Sequence, residues 1–264
     1  MEIGLSFMPR DAVDVWTELR RTPRILELIR AHEGPELHLQ TVLRREFPED
    51  VVRAALLLHE LRVRAKVKFS RAGEMWFDRV GLEQSTSEAV AAHKARRFRG
   101  ETWDLCCGIG GDALALAARG AVVAVDQSLL ACRFAEWNAE ACGVGERVQP
   151  LCADVATLSL PKRPIHIDPD RRAGRRGRSL RIEDMRPGPD FLEELMQTCP
   201  GGAIKLSPAS NFTGKFPGCE IELISLDGEC KEATVWFGEL AAPDLWRATV
   251  LPAELSQRMS SMMA

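Results

Sequence analysis

Apolar residues recur at intervals of three and four positions along the first part of the chain. Val13, Trp16 and Leu19 show this spacing near the start, and it returns over residues 51–63. Such spacing is typical of amphipathic helices. The pattern is interrupted at Pro23, at Gly34-Pro35 and at Pro48. Because proline and glycine interrupt helices, we predict a module of several helices over residues 1–73.

From Gly100 onward, short apolar runs alternate with helical repeats. The apolar runs lie at 102–105, 121–125, 148–152, 165–167 and 203–206, and the repeats lie at 113–118, 128–141 and 191–196. Strands that alternate with helices predict a parallel sheet. Two further runs, at 220–226 and 230–237, are joined by Asp227-Gly228 and predict a β-hairpin.

These elements predict an α/β fold with a doubly wound, mainly parallel, seven-stranded sheet of the Rossmann-like kind. A small N-terminal helical domain precedes it. We predict domain boundaries at 1–73 for the helical module and 74–254 for the sheet domain, followed by a frayed tail at 255–264.

The most informative stretch runs from Asp104 to Asp112 and reads DLCCGIGGD. A strand that leads through glycines into a helix is the entry of a nucleotide-binding unit, because glycine lets the backbone approach a ligand closely. Dinucleotide sites hold a pyrophosphate at this helix N-terminus. Here Asp104 ends the strand and Asp112 begins the helix, so two acids would repel it. The pattern favours a ligand without phosphates.

This turn resembles the first motif of class I methyltransferases, in which an acid precedes x-Gly-x-Gly-x-Gly; here Cys106 stands at the first glycine. The resemblance implies S-adenosyl-L-methionine as cofactor. Asp126 ends the second strand, where an acid can accept hydrogen bonds from ribose hydroxyls. Asp154 and Val155 follow the third strand and are expected near the adenine. The expected cofactor-binding residues are Thr86, Asp104, Cys106, Gly108, Gly110, Asp126, Gln127, Asp154 and Val155.

The fourth strand leads into Asp168, Pro169 and Asp170, which we predict to be catalytic. Ligands bind at the carboxyl ends of strands in open α/β sheets. Either carboxylate could orient or deprotonate the acceptor, and the proline would stiffen the loop. Methyl transfer proceeds by displacement of a good leaving group, so alignment and a weak base are sufficient.

A run of arginines follows at once. We predict that Arg171, Arg172, Arg175 and Arg176 bind substrate. Arginine side chains suit phosphate oxygens, which points to RNA, although a solvated loop is the ordinary role of such a run. A second basic group lies at 94–99, at the end of a helix that Ser85 and Glu88 would open as a capping box. Those cations suit the helix dipole or contact RNA.

Two families share further motifs with this chain. The block TSEAVAAH at 86–93, followed by the glycine turn, resembles trimethylguanosine synthase-type RNA cap methyltransferases. Residues 74–252 look more closely like bacterial THUMP-like methyltransferases, which share the CGIGGD turn, Asp-Pro-x-Arg-Arg, and Asp-Gly-Glu-x-x-Glu-Ala before Trp-Phe-Gly. The resemblance implies an RNA methyltransferase. The aromatic residue that cap-modifying enzymes carry after the fourth strand is replaced by Asp170 and Arg171, which argues against guanine amino groups as acceptor.

Composition sets the remaining expectations. A net charge of −3 excludes a uniformly basic protein but not a local basic patch. The eight cysteines include no CxxC pair, so we predict no metal site. No run reaches the length of a membrane span, and we expect a cytoplasmic protein without membrane contact. Two alternatives stay open: a methyltransferase of a protein or small metabolite, and a non-catalytic module that binds the cofactor or RNA.

Overall fold

The computed structural model describes residues 10–160, 162–170, 181–252 and 255–260. Within these ranges the N-terminal part forms α1 (Ala12–Arg21), α2 (Pro23–Ala31), α3 (Glu36–Glu46) and α4 (Glu49–Ala65). Pro23 begins α2, whereas Pro35 and Pro48 are the N-caps of α3 and α4. Proline is tolerated there because the first N–H groups of a helix have no partner within it. None of the helices in the described ranges combines the length and apolarity needed to cross a bilayer.

The N-terminal helices share a hydrophobic core with α8 (Leu129–Ala141) of the sheet domain. The rings of Trp16 in α1 and Phe134 in α8 pack edge to face, with centroids 5.0 Å apart. The helical module therefore covers one face of the sheet domain. The division of the chain at residue 73 stays a prediction.

The strands form a single mixed sheet. They are β1 (Thr102–Leu105), β2 (Val122–Asp126), β3 (Val148–Cys152), β4 (Ile165–Ile167), β5 (Gly201–Leu206), β6 (Glu220–Leu226), β7 (Glu229–Gly238), β8 (Leu245–Leu251) and β9 (Leu255–Ser260). Their order is β3-β2-β1-β4-β5-β7-β6-β8-β9. The first five strands are parallel, and β7 runs antiparallel to both β5 and β6. The doubly wound α/β fold is confirmed.

The chain reverses its direction of travel across the sheet between β1 and β4. From β1 it passes through α7 (Gly111–Ala117) to β2 and through α8 to β3, and it then returns to β4 on the other side of β1. Helix α9 (Pro189–Thr198) connects β4 to β5. In open α/β sheets, ligands bind outside the carboxyl ends of the strands at such a switch point.

The sheet differs from the prediction at its far edge. It has nine strands among the described residues instead of seven, because 245–251 pairs with β6 and 255–260 pairs with β8. Residues 255–260, predicted to fray, are therefore part of the sheet. The alternation of apolar residues in a short edge strand is weak, so a sequence pattern does not separate such a strand from a tail.

The helix before the sheet begins differently from the prediction. Between the N-terminal module and the sheet lie α5 (Arg79–Gln84) and α6 (Glu88–Ala95). Ser87 is the N-cap of α6, and its side chain makes no capping hydrogen bond. The Glu88 carboxylate instead accepts from the backbone N–H and hydroxyl of Ser70, at 2.7 and 3.0 Å. A tertiary partner has replaced the predicted local capping box.

The basic group at the end of α6 is turned partly into the protein. Lys94 is 1% exposed. The guanidinium of Arg97 binds Glu220 through two hydrogen bonds of 2.8 and 2.7 Å and lies over the Trp236 ring. These two cations are therefore paired within the protein.

Candidate functional site

A cavity of about 740 Å³ lies at the carboxyl ends of β1 to β4, beside the segment that joins α5 to α6. Its size is that of a small-molecule site. It brings together residues that the sequence analysis selected separately. The predicted site residues that line it are Thr86, Asp104, Cys106, Gly108, Asp126, Gln127, Asp154, Val155, Asp168, Pro169 and Asp170.

The glycine turn holds Cys106, which stands at the position of the motif's first glycine, in a backbone conformation that glycine favours. Cys106, Gly108 and Gly110 all have positive φ angles, of 56°, 53° and 86°. This conformation strains a non-glycine residue by roughly 1–3 kcal/mol. Burial, followed by the charges of Asp126 and Asp168, raises the pKa of the Cys106 thiol well above its ordinary value. Cys106 therefore presents a neutral thiol to the cavity rather than a nucleophilic thiolate.

Gly110 lies outside the cavity wall, unlike the other predicted cofactor-binding residues. It is the N-cap of α7, and a Cβ at this position would lie 3.2 Å from the Cα of Ala135 in α8. Its lack of a side chain lets α7 and α8 approach each other. By contrast, a Cβ on Gly108 would meet no atom within 4 Å, so the loop at Gly108 is open to a ligand.

Asp126 at the tip of β2 ties two loops together. Its Oδ2 accepts from the Gly108 N–H at 2.9 Å, and its Oδ1 accepts from the Ser128 N–H at 2.8 Å. Each carboxylate oxygen can accept a second hydrogen bond, so the fixed carboxylate remains available to hydroxyl donors. Burial raises the pKa of Asp126, while the two backbone hydrogen bonds work against that rise.

Asp154 and Val155 form the next part of the wall, as predicted from their place after β3. The carboxylate of Asp154 accepts from the Ala156 N–H at 3.0 Å and caps a short helical turn. Val155 is buried under the same turn. One polar and one apolar residue thus face the cavity side by side.

Asp104 at the end of β1 has one satisfied oxygen and one unsatisfied oxygen. Its register partner on β4 is His166, and the His166 Nδ1 lies 2.7 Å from Asp104 Oδ1. The Oδ2 atom is buried and has no hydrogen-bond partner among the described residues. Burial raises the pKa of Asp104, whereas the neighbouring His166, which is hydrogen-bonded to it, lowers the pKa. A buried carboxylate oxygen without a donor, at a cavity wall, is suited to a cationic ligand group.

Thr86 lines the cavity, and its hydroxyl donates to Asp112 Oδ2 at 2.6 Å. Asp112 also forms an ion pair of 2.8 Å with Lys94 of α6. Burial alone would raise the pKa of Asp112, but the charge and the hydrogen bond of Lys94 outweigh it and hold the pKa well below its ordinary value. Asp112 is therefore an internal ion-pair partner.

Asp168 follows β4 and forms an ion pair with Lys205 of β5, with 2.6 Å between Oδ2 and Nζ. Lys205 also donates to the backbone carbonyl of Gln84 at 3.3 Å. The sequence analysis assigned no role to Lys205 or His166, and it placed Lys94 only in the basic group at the end of a helix. A lysine or histidine inside an otherwise apolar strand or helix face is the signal that could have identified them.

Asp170 and Arg186 form a further part of the cavity wall. Their backbones pair through Asp170 N–H to Arg186 O at 2.7 Å and Arg186 N–H to Asp170 O at 3.0 Å. Both residues line the cavity, and Arg186 is a further arginine that the sequence analysis did not select. The predicted substrate-binding residues Arg171, Arg172, Arg175 and Arg176 lie outside the described residues.

The described wall of the cavity is strongly acidic. It contains seven aspartates against a single basic residue, Arg186. No group of His, Cys, Asp and Glu side chains in the described ranges is arranged to hold a metal ion. An excess of carboxylates repels phosphates and attracts cations and hydroxyl donors. The charge of the wall thus agrees with a phosphate-free, positively charged ligand.

Parts of the chain are similar in sequence to known methyltransferases. Residues 100–186 match the family model described as RNA cap guanine-N2 methyltransferase. Over 173 residues the chain is 33% identical to uncharacterised S-adenosylmethionine-dependent methyltransferases of two Mycobacterium tuberculosis strains, CDC 1551 and H37Rv. That match covers 63% of this chain and 47% of each relative, so the chain spans about half the length of the curated relatives it matches.

A solved structure is similar over almost the whole chain. It is the crystal structure of a candidate methyltransferase from Porphyromonas gingivalis W83, with a TM-score of 0.68 and 20% sequence identity. The similarity covers 96% of this chain and 66% of that chain, and at this identity it concerns the fold. The chain is thus similar in fold to a candidate methyltransferase, and over 173 residues it is similar in sequence to S-adenosylmethionine-dependent methyltransferases.

Proposed function

We propose that this protein transfers a methyl group from S-adenosyl-L-methionine to RNA. The observation that carries the proposal is the acidic cavity at the switch point of the sheet. There the buried Oδ2 of Asp104 lacks a donor, and the carboxylate of Asp126 is held in place by two backbone N–H groups. A ligand with an ammonium group at one end and ribose hydroxyls in the middle would satisfy both.

The other predicted residues fit the same ligand. Asp104 would bind the ammonium, Asp126 the ribose, and Asp154 with Val155 the adenine. Gln127 and Cys106 would line the sugar and sulfur region, and the Thr86 segment would lie beside the methionine end. Gly108 leaves the space through which such a ligand would pass. This assignment rests on the presence of these residues in the wall of one cavity and on the strand tip that each follows.

When bound, S-adenosylmethionine supplies an electrophilic methyl group on its sulfonium. On the protein side, Asp168 would orient the acceptor and take its proton, because this carboxylate lies at the tip of β4 and is held by Lys205. Pro169 and the backbone pairing of Asp170 with Arg186 would keep the acceptor loop in place. Orientation of this kind can supply most of the rate enhancement in a displacement reaction.

Two observations support RNA as the acceptor. Six arginines lie between 171 and 181, directly after the proposed catalytic residues in the sequence, and Arg186 lines the cavity. The family model over 100–186 is described by an RNA substrate. Phosphates of a nucleic acid would bind this arginine group, while the acidic cavity would receive the cofactor. A THUMP-like or trimethylguanosine synthase-like assignment is part of this proposal.

Calorimetric titration of S-adenosylhomocysteine into wild type and Asp126→Ala tests the cofactor site. We expect the variant to lose at least tenfold in affinity, because two hydroxyl partners disappear together. Asp190→Ala, on the exposed first turn of α9, is the matched control and should bind like wild type. Equal affinity of Asp126→Ala and wild type would contradict the assignment.

The substrate is tested by transfer of a labelled methyl group to total RNA, soluble protein and small molecules from the same cells. We expect label in RNA, and its loss in Asp168→Ala with cofactor binding retained. Label in protein or metabolites would support methyl transfer but reject RNA as the substrate. Binding of cofactor without any transfer would favour the non-catalytic module.

A further inference from the structure

We propose that Lys94 and His166 are positioning residues for the amino acid end of the cofactor, acting through Asp104 without touching the ligand. The inference rests on the proposed function and deepens it. Neither residue lines the cavity, and each is 1% exposed. Together they form a hydrogen-bonded network that begins at Glu232 of β7 and ends at Oδ1 of Asp104, whose other oxygen, Oδ2, has no partner among the described residues.

Lys94 is at the centre of this network, and its three donors match three acceptors. Its Nζ lies 2.8 Å from Asp112 Oδ1, 2.9 Å from Glu232 Oε1 and 3.1 Å from His166 Nε2. A lysine ammonium has three N–H donors and no acceptor. The ammonium is therefore held by three different elements, α7, β7 and β4, which fix its position.

The chemistry of Lys94 sets the direction of the bond between His166 and Asp104. Because an ammonium can only donate, His166 Nε2 must accept, and the imidazole carries its hydrogen on Nδ1. Nδ1 then donates to Asp104 Oδ1 at 2.7 Å. His166 thus occupies Oδ1 of the Asp104 carboxylate. The other oxygen, Oδ2, has no partner among the described residues and is the atom left for a ligand.

A second branch connects the same ammonium to the opposite wall. Lys94 pairs with Asp112, and Asp112 accepts from the hydroxyl of Thr86, which lines the cavity. A Cβ at Gly111 would lie 3.1 Å from the Thr86 carbonyl, so the start of α7 already packs closely against this segment. Lys94 thus fixes both Asp104 and the Thr86 segment.

The buried groups around Lys94 carry more negative than positive charge, and the unbalanced negative charge lies at Asp104. Lys94 faces Asp112 and Glu232 directly, and these two carboxylates raise its pKa despite complete burial. Asp104 is buried beside them and receives only the His166 donor. Three carboxylates therefore share one ammonium. A cation bound at Asp104 Oδ2 would supply the missing charge, which agrees with the ammonium of an amino acid.

The test compares two ligands that differ only in the part that Asp104 would bind. S-adenosylhomocysteine carries the amino acid end, whereas 5′-methylthioadenosine has the same nucleoside without it. His166→Phe removes the donor to Asp104, and His166→Asn places an amide donor near the Nδ1 position. Calorimetry of both ligands with wild type and both variants, beside thermal unfolding, gives the readout.

We expect His166→Phe to weaken S-adenosylhomocysteine about tenfold or more and to leave 5′-methylthioadenosine within twofold of wild type. His166→Asn should recover most of the loss. Unchanged affinity for both ligands, or an equal loss for both, would overturn the positioning role, since an equal loss indicates general distortion. Absence of binding of either ligand to wild type would reject the proposed function instead.

If His166→Phe does not fold, Glu232→Gln provides a second variant with nearly the same shape. It removes the negative charge that Glu232 of β7 places beside Lys94, at the end of the hydrogen-bonded network opposite Asp104. We expect a loss of several-fold that is confined to S-adenosylhomocysteine. Equal effects on the two ligands, or none, would overturn the inference.

Discussion

Lys205 Nζ lies 2.6 Å from Asp168 Oδ2, and this pair joins the tips of two adjacent parallel strands. The lysine side chain is 9% exposed and the aspartate side chain 24% exposed, so the cation is fixed from within while the carboxylate faces the cavity. The backbone carbonyl of Gln84 is a second acceptor for the same ammonium. The pair therefore holds the Asp168 carboxylate close to the segment that precedes α6.

We predict that Lys205→Met lowers the rate of methyl transfer about 30-fold, because a charge-assisted hydrogen bond contributes about 2 kcal/mol to holding Asp168. Cofactor affinity should stay within twofold, since Lys205 does not line the cavity. Single-turnover transfer and calorimetry measure the two quantities separately. Lys205→Arg keeps the charge and should retain more activity; equal rates for the Met variant and wild type would contradict the role.

The positive φ of Cys106 predicts an unusual order of tolerated substitutions. Cys106→Val should destabilise the protein by about 1–3 kcal/mol, because a β-branched residue is strained in the left-handed region. Cys106→Gly should stay within about 1 kcal/mol of wild type and keep its cofactor affinity. Urea unfolding gives the free energies. A valine variant as stable as the glycine variant would show that the loop does not require this conformation.

Glu222 should make stability depend on pH in the acid range. Burial by itself would raise its pKa, but hydrogen bonds from His93 and Thr249 outweigh it and lower the pKa from 4.5 to about 2. The ionised form is thus favoured in the folded state. Its contribution, about 3 kcal/mol, is present above pH 4.5 and is lost as the pH falls towards 2.

The difference in unfolding free energy between wild type and Glu222→Gln measures this contribution. We expect the difference to be largest at pH 7 and to shrink between pH 4.5 and 2. Glu229→Gln, on an exposed strand end, is the control and should show little difference at neutral pH. A difference that is constant with pH would argue against the lowered pKa.

Asn138 should be important for joining the segment between α4 and α5 to the glycine turn. It is fully buried, accepts from the Trp76 N–H at 2.6 Å, and donates to the carbonyls of Trp76 and Ile109 at 3.1 and 2.9 Å. Asn138→Ala removes three hydrogen bonds and should cost about 3 kcal/mol. Urea unfolding measures it, with the exposed Gln197→Ala as control; a loss below 1 kcal/mol would contradict the linking role.

Much of the site could be predicted because its acids occupy a recurring place in the sequence, at the ends of apolar runs. Asp104, Asp126, Asp154 and Asp168 each follow an apolar run, and the carboxyl ends of parallel strands meet at one edge of a sheet. Once the alternation of strands and helices is recognised, topology alone brings these acids together. The helix breaks at prolines were predictable for the same reason, since backbone sterics act locally.

The sequence by itself therefore determined the fold class, the helical N-terminal region and the acids at the strand tips. Only the tertiary structure decided which of those acids are satisfied internally. Lys94 and His166 lie 72 positions apart, and no local pattern relates them. The helix-end lysine is buried, Glu88 binds Ser70 instead of capping its helix, and residues 255–260 form an edge strand. For Lys94 and Glu88 a partner distant in sequence supplies the hydrogen bonds, because buried polar groups must be paired wherever the fold brings a partner. For 255–260 the neighbouring strand β8 supplies them.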